Sequence, residues 1–192
     1  MTIVGHVTVF LSLVLGLAVV HLLSGLSLIL DTRVRTRVYW VHLLWTANML
    51  GAVVLVWLSS FVLSPLDELS ALHVLTLLAY AIVTYLMSGL LFPVRGEEVV
   101  DFREHFAANR SRFFVLGILF VLVDATDGVL EMVSTDAPLA VGQFGTLIVW
   151  FVAFAVGLRV RSERYGAAVA VVFSVGLVGW FVSLVEAGVL VW

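Results

Sequence analysis

Six long apolar runs separated by short polar links make up almost the whole chain. They cover about 3–30, 38–63, 70–92, 113–134, 139–158 and 166–190, each near the ~20 residues that a bilayer core demands of a helix. The runs leave no room for the polar faces that the helices of a soluble bundle must carry. The pattern predicts an all-α, polytopic membrane protein, with a single transmembrane domain over 1–192 built as a six-transmembrane-helix bundle. The links read DTRVRTR, SPLDELS, a longer stretch from Val94 to Arg112, STDAP and RVRSERY. Pro93 is placed to end the third span, and Pro138 fits the first turn of the fifth, where a missing N–H costs little. The first run has no basic stretch before it and no small-residue cleavage site after it, so it is expected to stay as a span rather than leave as a signal peptide.

The longer link carries a pattern of its own. In EEVVDFREHFAANRSRFF, Val99, Phe102 and Phe106 recur at helical spacing, with Asp101, Arg103, Glu104 and His105 between them. The spacing predicts a cytoplasmic interfacial helix between helices 3 and 4, with its apolar face in the headgroup zone and its arginines at the phosphates. A gate or docking surface is the functional alternative, and His105 reads as a solvated surface residue.

Composition sharpens the class. Hydrophobic residues are 62% of the chain and charged residues 12%, with a mean hydropathy of +1.18; a soluble domain carries about twice that share of charge. The absence of cysteine removes disulfides, thiolate nucleophiles and cysteine-ligated metals. Lysine is absent too, which removes Schiff-base chemistry and a Walker-type phosphate loop. Arginine-only, valine-rich usage points to a GC-rich prokaryotic source. No GxSxG or HExxH motif is present, so the reading leans away from an enzyme.

The arginines orient the chain. Arg33, Arg35 and Arg37 lie in the first link, Arg95, Arg103, Arg110 and Arg112 in the third, and Arg159, Arg161 and Arg164 in the fifth. No arginine falls in the second link, the fourth link or either terminus. By the positive-inside rule the three basic links are cytoplasmic, so the N- and C-termini of this cell-membrane protein are expected outside. The bilayer is the expected partner, nucleic acid is not, and homo-oligomerisation stays open.

The candidate chemistry lies inside the spans. The first holds HLLSG, with His21 and Ser24, and the fourth holds DATDG, with Asp124 and Asp127. Counting 1.5 Å per residue puts His21 ~13 Å and Asp124 ~16 Å from the cytoplasmic ends of their spans, both near the midplane. Asp124, Asp127 and Glu131 fall on one helical face. An Asp at the bilayer centre costs ~2.5–3.5 kcal/mol on insertion scales, so these groups should turn inward and find partners. His21 matches Asp124 and Asp127 in depth and is their expected partner. Two carboxylates three residues apart also repel, which favours holding a proton between them. Stacked by depth, His73, Glu131 and Glu186 lie outside, Asp127, Asp124 and His21 are central, and His42 is inside. Three readings remain open for this set: helix-fastening contacts, a proton or small-cation pathway, and a metal, haem or other ligand site. The pathway reading makes the protein a proton- or cation-conducting channel or transporter. Its alternative is a membrane-embedded ligand-, metal- or haem-binding protein without transport activity, and no cofactor is specified by the residues.

The stretches GLAVVHLLSGL, YWVHLLW, LLFP, DFREHFAANRSRFF and the Asp-x-x-Asp of Asp124 and Asp127 together resemble a group of short prokaryotic integral membrane proteins with six predicted spans. The resemblance covers roughly residues 15–130 and fades over the last two spans. It implies that His21, His42, Asp124 and Asp127 belong to a common pattern, and it implies no activity.

Overall fold

A computed structural model describes residues 3–31, 35–60, 70–93, 99–135 and 141–186. Six helices are long and apolar enough to cross a membrane. They are α1 (Ile3–Leu30), α2 (Trp40–Ser59), α3 (Ala71–Gly89), α4 (Phe102–Thr135), α5 (Val141–Arg159) and α6 (Glu163–Glu186). Two three-residue strands, β1 (Arg35–Arg37) and β2 (Val99–Asp101), pair in parallel, with Arg37 opposite Asp101. The protein is therefore a predominantly helical membrane protein with six spans among the described residues.

α2 and α3 are the inner helices. α1 packs on both, α4 packs on α3 and α5, and α6 packs chiefly on α2. The faces of α1 show why one helix serves two solvents. Leu11, Leu15, Ala18 and Leu22 are buried at helical spacing, while Leu13, Leu17 and Val20 point outward and are more than half exposed. Both stripes are apolar because the outer one meets lipid rather than water.

Aromatic rings against glycines set the helix spacing. The Phe154 ring of α5 sits where a Cβ on Gly117 of α4 would fall, and the Phe114 ring of α4 does the same at Gly157 of α5. This reciprocal fit lets the two backbones approach closely, the usual device where lipid supplies no hydrophobic drive between helices. Trp45 of α2, fully buried, is the hub of the arginine-bearing half, touching Phe113 of α4, Phe154 of α5 and Phe173 of α6. A polar clamp stands beside it. The Asn48 amide donates to the Ala170 carbonyl (2.9 Å) and its Oδ1 accepts from the Ser174 hydroxyl (2.7 Å), tying α2 to α6.

The link between α3 and α4 departs from the sequence expectation. There is no separate interfacial helix among the described residues. Val99 belongs to β2, and Phe102 opens α4, which runs without a break to Thr135. Asp101 starts the helix, its Oδ1 accepting from the backbone N–H groups of Arg103 (2.9 Å) and Glu104 (3.2 Å). That arrangement is an N-cap. Arg37 lies 3.6 Å from the same carboxylate, so the β1–β2 pair and the cap fix one another. Phe102 and Phe106 are buried in protein, not turned to headgroups. The physical reason is continuity: the face carrying Phe102, Phe106 and Phe113 runs directly onto the aromatic side of α2. At 1.5 Å per residue α4 is ~51 Å long, against ~30 Å of hydrocarbon, so its ends stand clear of the apolar layer.

α3 also ends earlier than Pro93 would require. Its last helical residue is Gly89, with Leu90 at the C-cap, and the freed Leu90 and Leu91 carbonyls are taken by histidines of other elements.

Candidate functional site

Apart from the Asn48 clamp, the histidines and acids inside the bundle form two separate groups among the described residues. The first is a seam between α3 and α4. Along α3, His73, Thr76, Tyr80, Thr84 and Ser88 recur at helical spacing and are all buried. The hydroxyls of Thr76, Thr84 and Ser88 donate to the carbonyls of Leu72, Tyr80 and Thr84, so each is satisfied within its own helix. Tyr80 is different. Its ring stands edge-on to Phe120 of α4 at 4.8 Å, and its hydroxyl is buried beside the Asp124 carboxylate. The two groups interact electrostatically, yet their geometry falls short of a hydrogen bond, and the hydroxyl has no other partner among the described residues.

Across the seam, α4 presents Phe120, Asp124, Asp127 and Glu131. The helices run in opposite directions, so a step from Tyr80 back to His73 matches a step from Asp124 forward to Asp127 and Glu131. Asp127 accordingly feels both His73 and Glu131. His73 is anchored from below. The Ser70 hydroxyl oxygen accepts from the His73 backbone N–H (3.3 Å) and lies 2.8 Å from His73 Nδ1. With the serine proton directed to Nδ1, the imidazole proton is assigned to Nε2, on the far side of the ring from Ser70. The seam thus begins at the arginine-poor end of α3, with an imidazole, and reaches inward through three acids to a phenol.

The second group surrounds Phe92. His42 is fully buried; its Nε2–H donates to the Leu91 carbonyl (2.7 Å), its ring stacks on Phe102 (4.5 Å), and Phe92 stands edge-on (4.9 Å). His105 adds a bond to the Leu90 carbonyl at 3.1 Å, so it is a half-buried anchor and not the solvated residue its sequence suggests. Two imidazoles therefore satisfy consecutive carbonyls at the C-terminal end of α3, where orphan acceptors and the helix dipole both favour donors. The HLLSG stretch packs here too. The His21 ring meets Phe92 edge-on at 6.3 Å, and the Phe92 ring fills the space that a Cβ on Gly25 would need.

This separates residues that depth alone had joined. No hydrogen bond or ion pair links His21 to Asp124 or Asp127 among the described residues. α3 lies between α1 and α4, and His21 faces the end of α3 rather than the acids. Ser24 is exposed on α1 and Glu186 is exposed at the end of α6, a helix that packs on α2 and α5. His42 stands with His21 around Phe92, apart from the acids. Among the expected residues the structure brings together His73, Asp124, Asp127 and Glu131. Sequence reasoning missed Tyr80, although its seven-residue spacing from His73 carried the signal.

Phe102 stacks on the His42 ring and the His42 Nε2 is engaged with Leu91, whereas His42 Nδ1 and His21 Nε2 are buried without a hydrogen-bond partner among the described residues. No cluster of three or more His, Asp or Glu suited to a metal occurs among the described residues. No protein-family model, curated protein or solved structure matches the chain, which leaves the chemistry of the α3–α4 seam as the guide to function.

Proposed function

We propose that this membrane protein takes up protons, or a small cation, at its arginine-poor end and passes them along the α3–α4 seam as far as Asp124. The observation that carries this reading is the direction of the acidic face of α4: Asp124 and Asp127 turn toward Tyr80 and His73. Each acid costs about 2.5–3.5 kcal/mol to place at bilayer depth. An interhelical hydrogen bond returns only about 0.6 kcal/mol on average. Fastening α3 to α4 would therefore need one polar contact, not two part-buried acids a turn apart with the exposed Glu131 beyond them. An imidazole at the mouth and closely spaced carboxylates behind it are the side-chain types that most often relay protons. In the orientation set by the arginine bias, the mouth at His73 faces outward, together with both termini.

The test is dye-reported proton flux into liposomes under an imposed gradient, with wild type, Asp124→Asn and His73→Gln. Asp124→Asn keeps shape and hydrogen bonding while removing the titratable group. The expected result is a loss of flux of about a hundredfold or more, the lower range for losing a positioned proton-transfer group, with an unchanged unfolding midpoint. Wild-type vesicles no leakier than empty ones at either sign of potential would overturn the proposal.

A further inference from the structure

A second polar feature lies at the opposite, arginine-bearing end. A cavity of about 60 Å³ opens between the start of α2, the first turns of α4 and the first turn of α6. Tyr39, Arg103, Arg110, Arg161 and Glu163 supply its polar lining. Three arginines stand against one glutamate, and their pairing is uneven. Arg103 is matched, lying 3.4 Å from Glu163 and over the Tyr39 ring. Arg110 is only 9% exposed, and among the described residues the one bond its guanidinium makes is to the neutral carbonyl of Val160. Its other face lies over the Phe114 ring at 4.8 Å. Arg161 has no carboxylate partner among the described residues, yet it is close enough to Arg110 for the two positive charges to act on one another.

Two neighbouring guanidiniums without a counter-charge, one of them buried, are an unfavourable arrangement in an otherwise apolar protein. Each presents a planar fork of donors that matches tetrahedral oxyanions. Room for roughly four water molecules suits one such group and excludes a base or sugar. The cavity also lies where a helix bundle meets the headgroup layer, and basic pockets between helices at that level take phospholipid head groups. We propose that this cavity binds a phosphate-bearing anion, held between Arg110 and Arg161, with the phosphodiester of an anionic lipid as its source. Tyr39 contributes a neutral hydroxyl: burial, then the nearby Glu163, push its phenol above the ordinary value. The site is independent of the α3–α4 seam.

The test uses the full chain in neutral detergent with three probes: phosphatidylglycerol in mixed micelles, zwitterionic phosphatidylcholine, and inorganic phosphate. Native mass spectrometry counts retained lipid, and the shift in unfolding midpoint follows phosphate. Each juxtamembrane arginine contributes about 1 kcal/mol to anionic-lipid attraction. Arg161→Gln should therefore weaken phosphatidylglycerol retention about fivefold, and Arg110→Gln with Arg161→Gln about thirtyfold. Arg112→Gln, exposed and outside the cavity lining, should leave it unchanged. Inorganic phosphate binding as well as the lipid, with the same dependence on Arg161, would keep the site and assign a soluble anion as its source. Because Arg110 also holds the Val160 carbonyl, the single Arg161→Gln variant decides the matter if the double variant does not fold. Retention unchanged in Arg161→Gln, or equally lost in Arg112→Gln, overturns the proposal.

Discussion

Replacing Gly25 by Ala tests whether the HLLSG stretch exists to seat Phe92. A Cβ at Gly25 would fall 2.2–2.4 Å from three atoms of the Phe92 ring, whereas ordinary carbon contacts begin near 3.5 Å. The ring must therefore retreat by about 1.3 Å. It cannot do so freely, because its other sides meet His42 at 4.9 Å and Phe102 at 5.8 Å. Forcing an extra methyl into such a site costs about 1–3 kcal/mol. Opposing this is the gain of about 1 kcal/mol from replacing glycine by alanine within a helix. The atoms met belong to the stem side of a ring and not to a flexible tip, so the net effect should be a destabilisation of about 1–2 kcal/mol. Gly16, on the same helix, has nothing within 4 Å of its notional Cβ. There Gly→Ala should show only the propensity term and stabilise by up to about 1 kcal/mol. The two substitutions are chemically identical and should differ in sign. Reversible unfolding in mixed micelles, followed by circular dichroism, measures both. In a Phe92→Leu background the Gly25→Ala penalty should shrink, since the obstructing ring is gone. Equal stability of Gly25→Ala and Gly16→Ala would refute the close approach.

Two further outcomes are expected. The Asp101 carboxyl is held below its ordinary value of 3.8 chiefly by the Glu104 backbone N–H, helped by Arg103 N–H and Arg37; its capping contribution is thus complete above that value and lost as pH falls through the depressed one. Asp101→Asn should flatten the acid limb of an unfolding-midpoint-against-pH curve, and an unaltered limb would count against the cap. For orientation, a reporter active only in the cytoplasm should report from the link that carries Arg95 and stay silent at either terminus; the reverse pattern would place the His73 mouth on the inner side.

The number and order of the spans were legible because a bilayer fixes helix length and forbids polar faces toward lipid. Their ends were less so. Pro93 suggested where the third span stops, but α3 ends at Gly89, because Leu90 and Leu91 leave the helix to offer carbonyls to His105 and His42. The reach of α4 was misread for a related reason. The Val99, Phe102 and Phe106 spacing shows that an apolar face exists, not whether lipid or protein covers it; here α2 does, and one helix replaces the expected two. Depth along a helix is one coordinate, readable at 1.5 Å per residue. Position around the bundle is another, and it depends on which helices are neighbours. His21 and Asp124 share the first coordinate and differ in the second, since α3 stands between their helices. Tyr80 could have been found by asking which residue lies two turns from His73 on the face that α3 buries.

The two polar groups differ in how their hydrogen-bonding capacity is used, and that difference favours the seam as the place to look for activity. Around Phe92, His42 and His105 donate to backbone carbonyls, and Phe102 stacks on the His42 ring with Phe92 perpendicular to it. These bonds hold the end of α3 in place, while His42 Nδ1 and His21 Nε2 stay buried without a hydrogen-bond partner among the described residues. At the seam the carboxylates of Asp124 and Asp127 meet a phenol that lacks a hydrogen bond and an imidazole that already has a serine on its other nitrogen. Neither acid has an arginine within ion-pair reach among the described residues. Permanent cation pairing would quench the acids as proton carriers, whereas a histidine and a tyrosine can each give up or accept a proton in turn. The arginines, by contrast, all fall in the first, third and fifth links or the helix ends beside them, which the positive-inside rule assigns to one side. Under the proposed pathway, the seam along α3 and α4 is where mutation should change flux without changing insertion, because the arginines that orient the chain lie outside it.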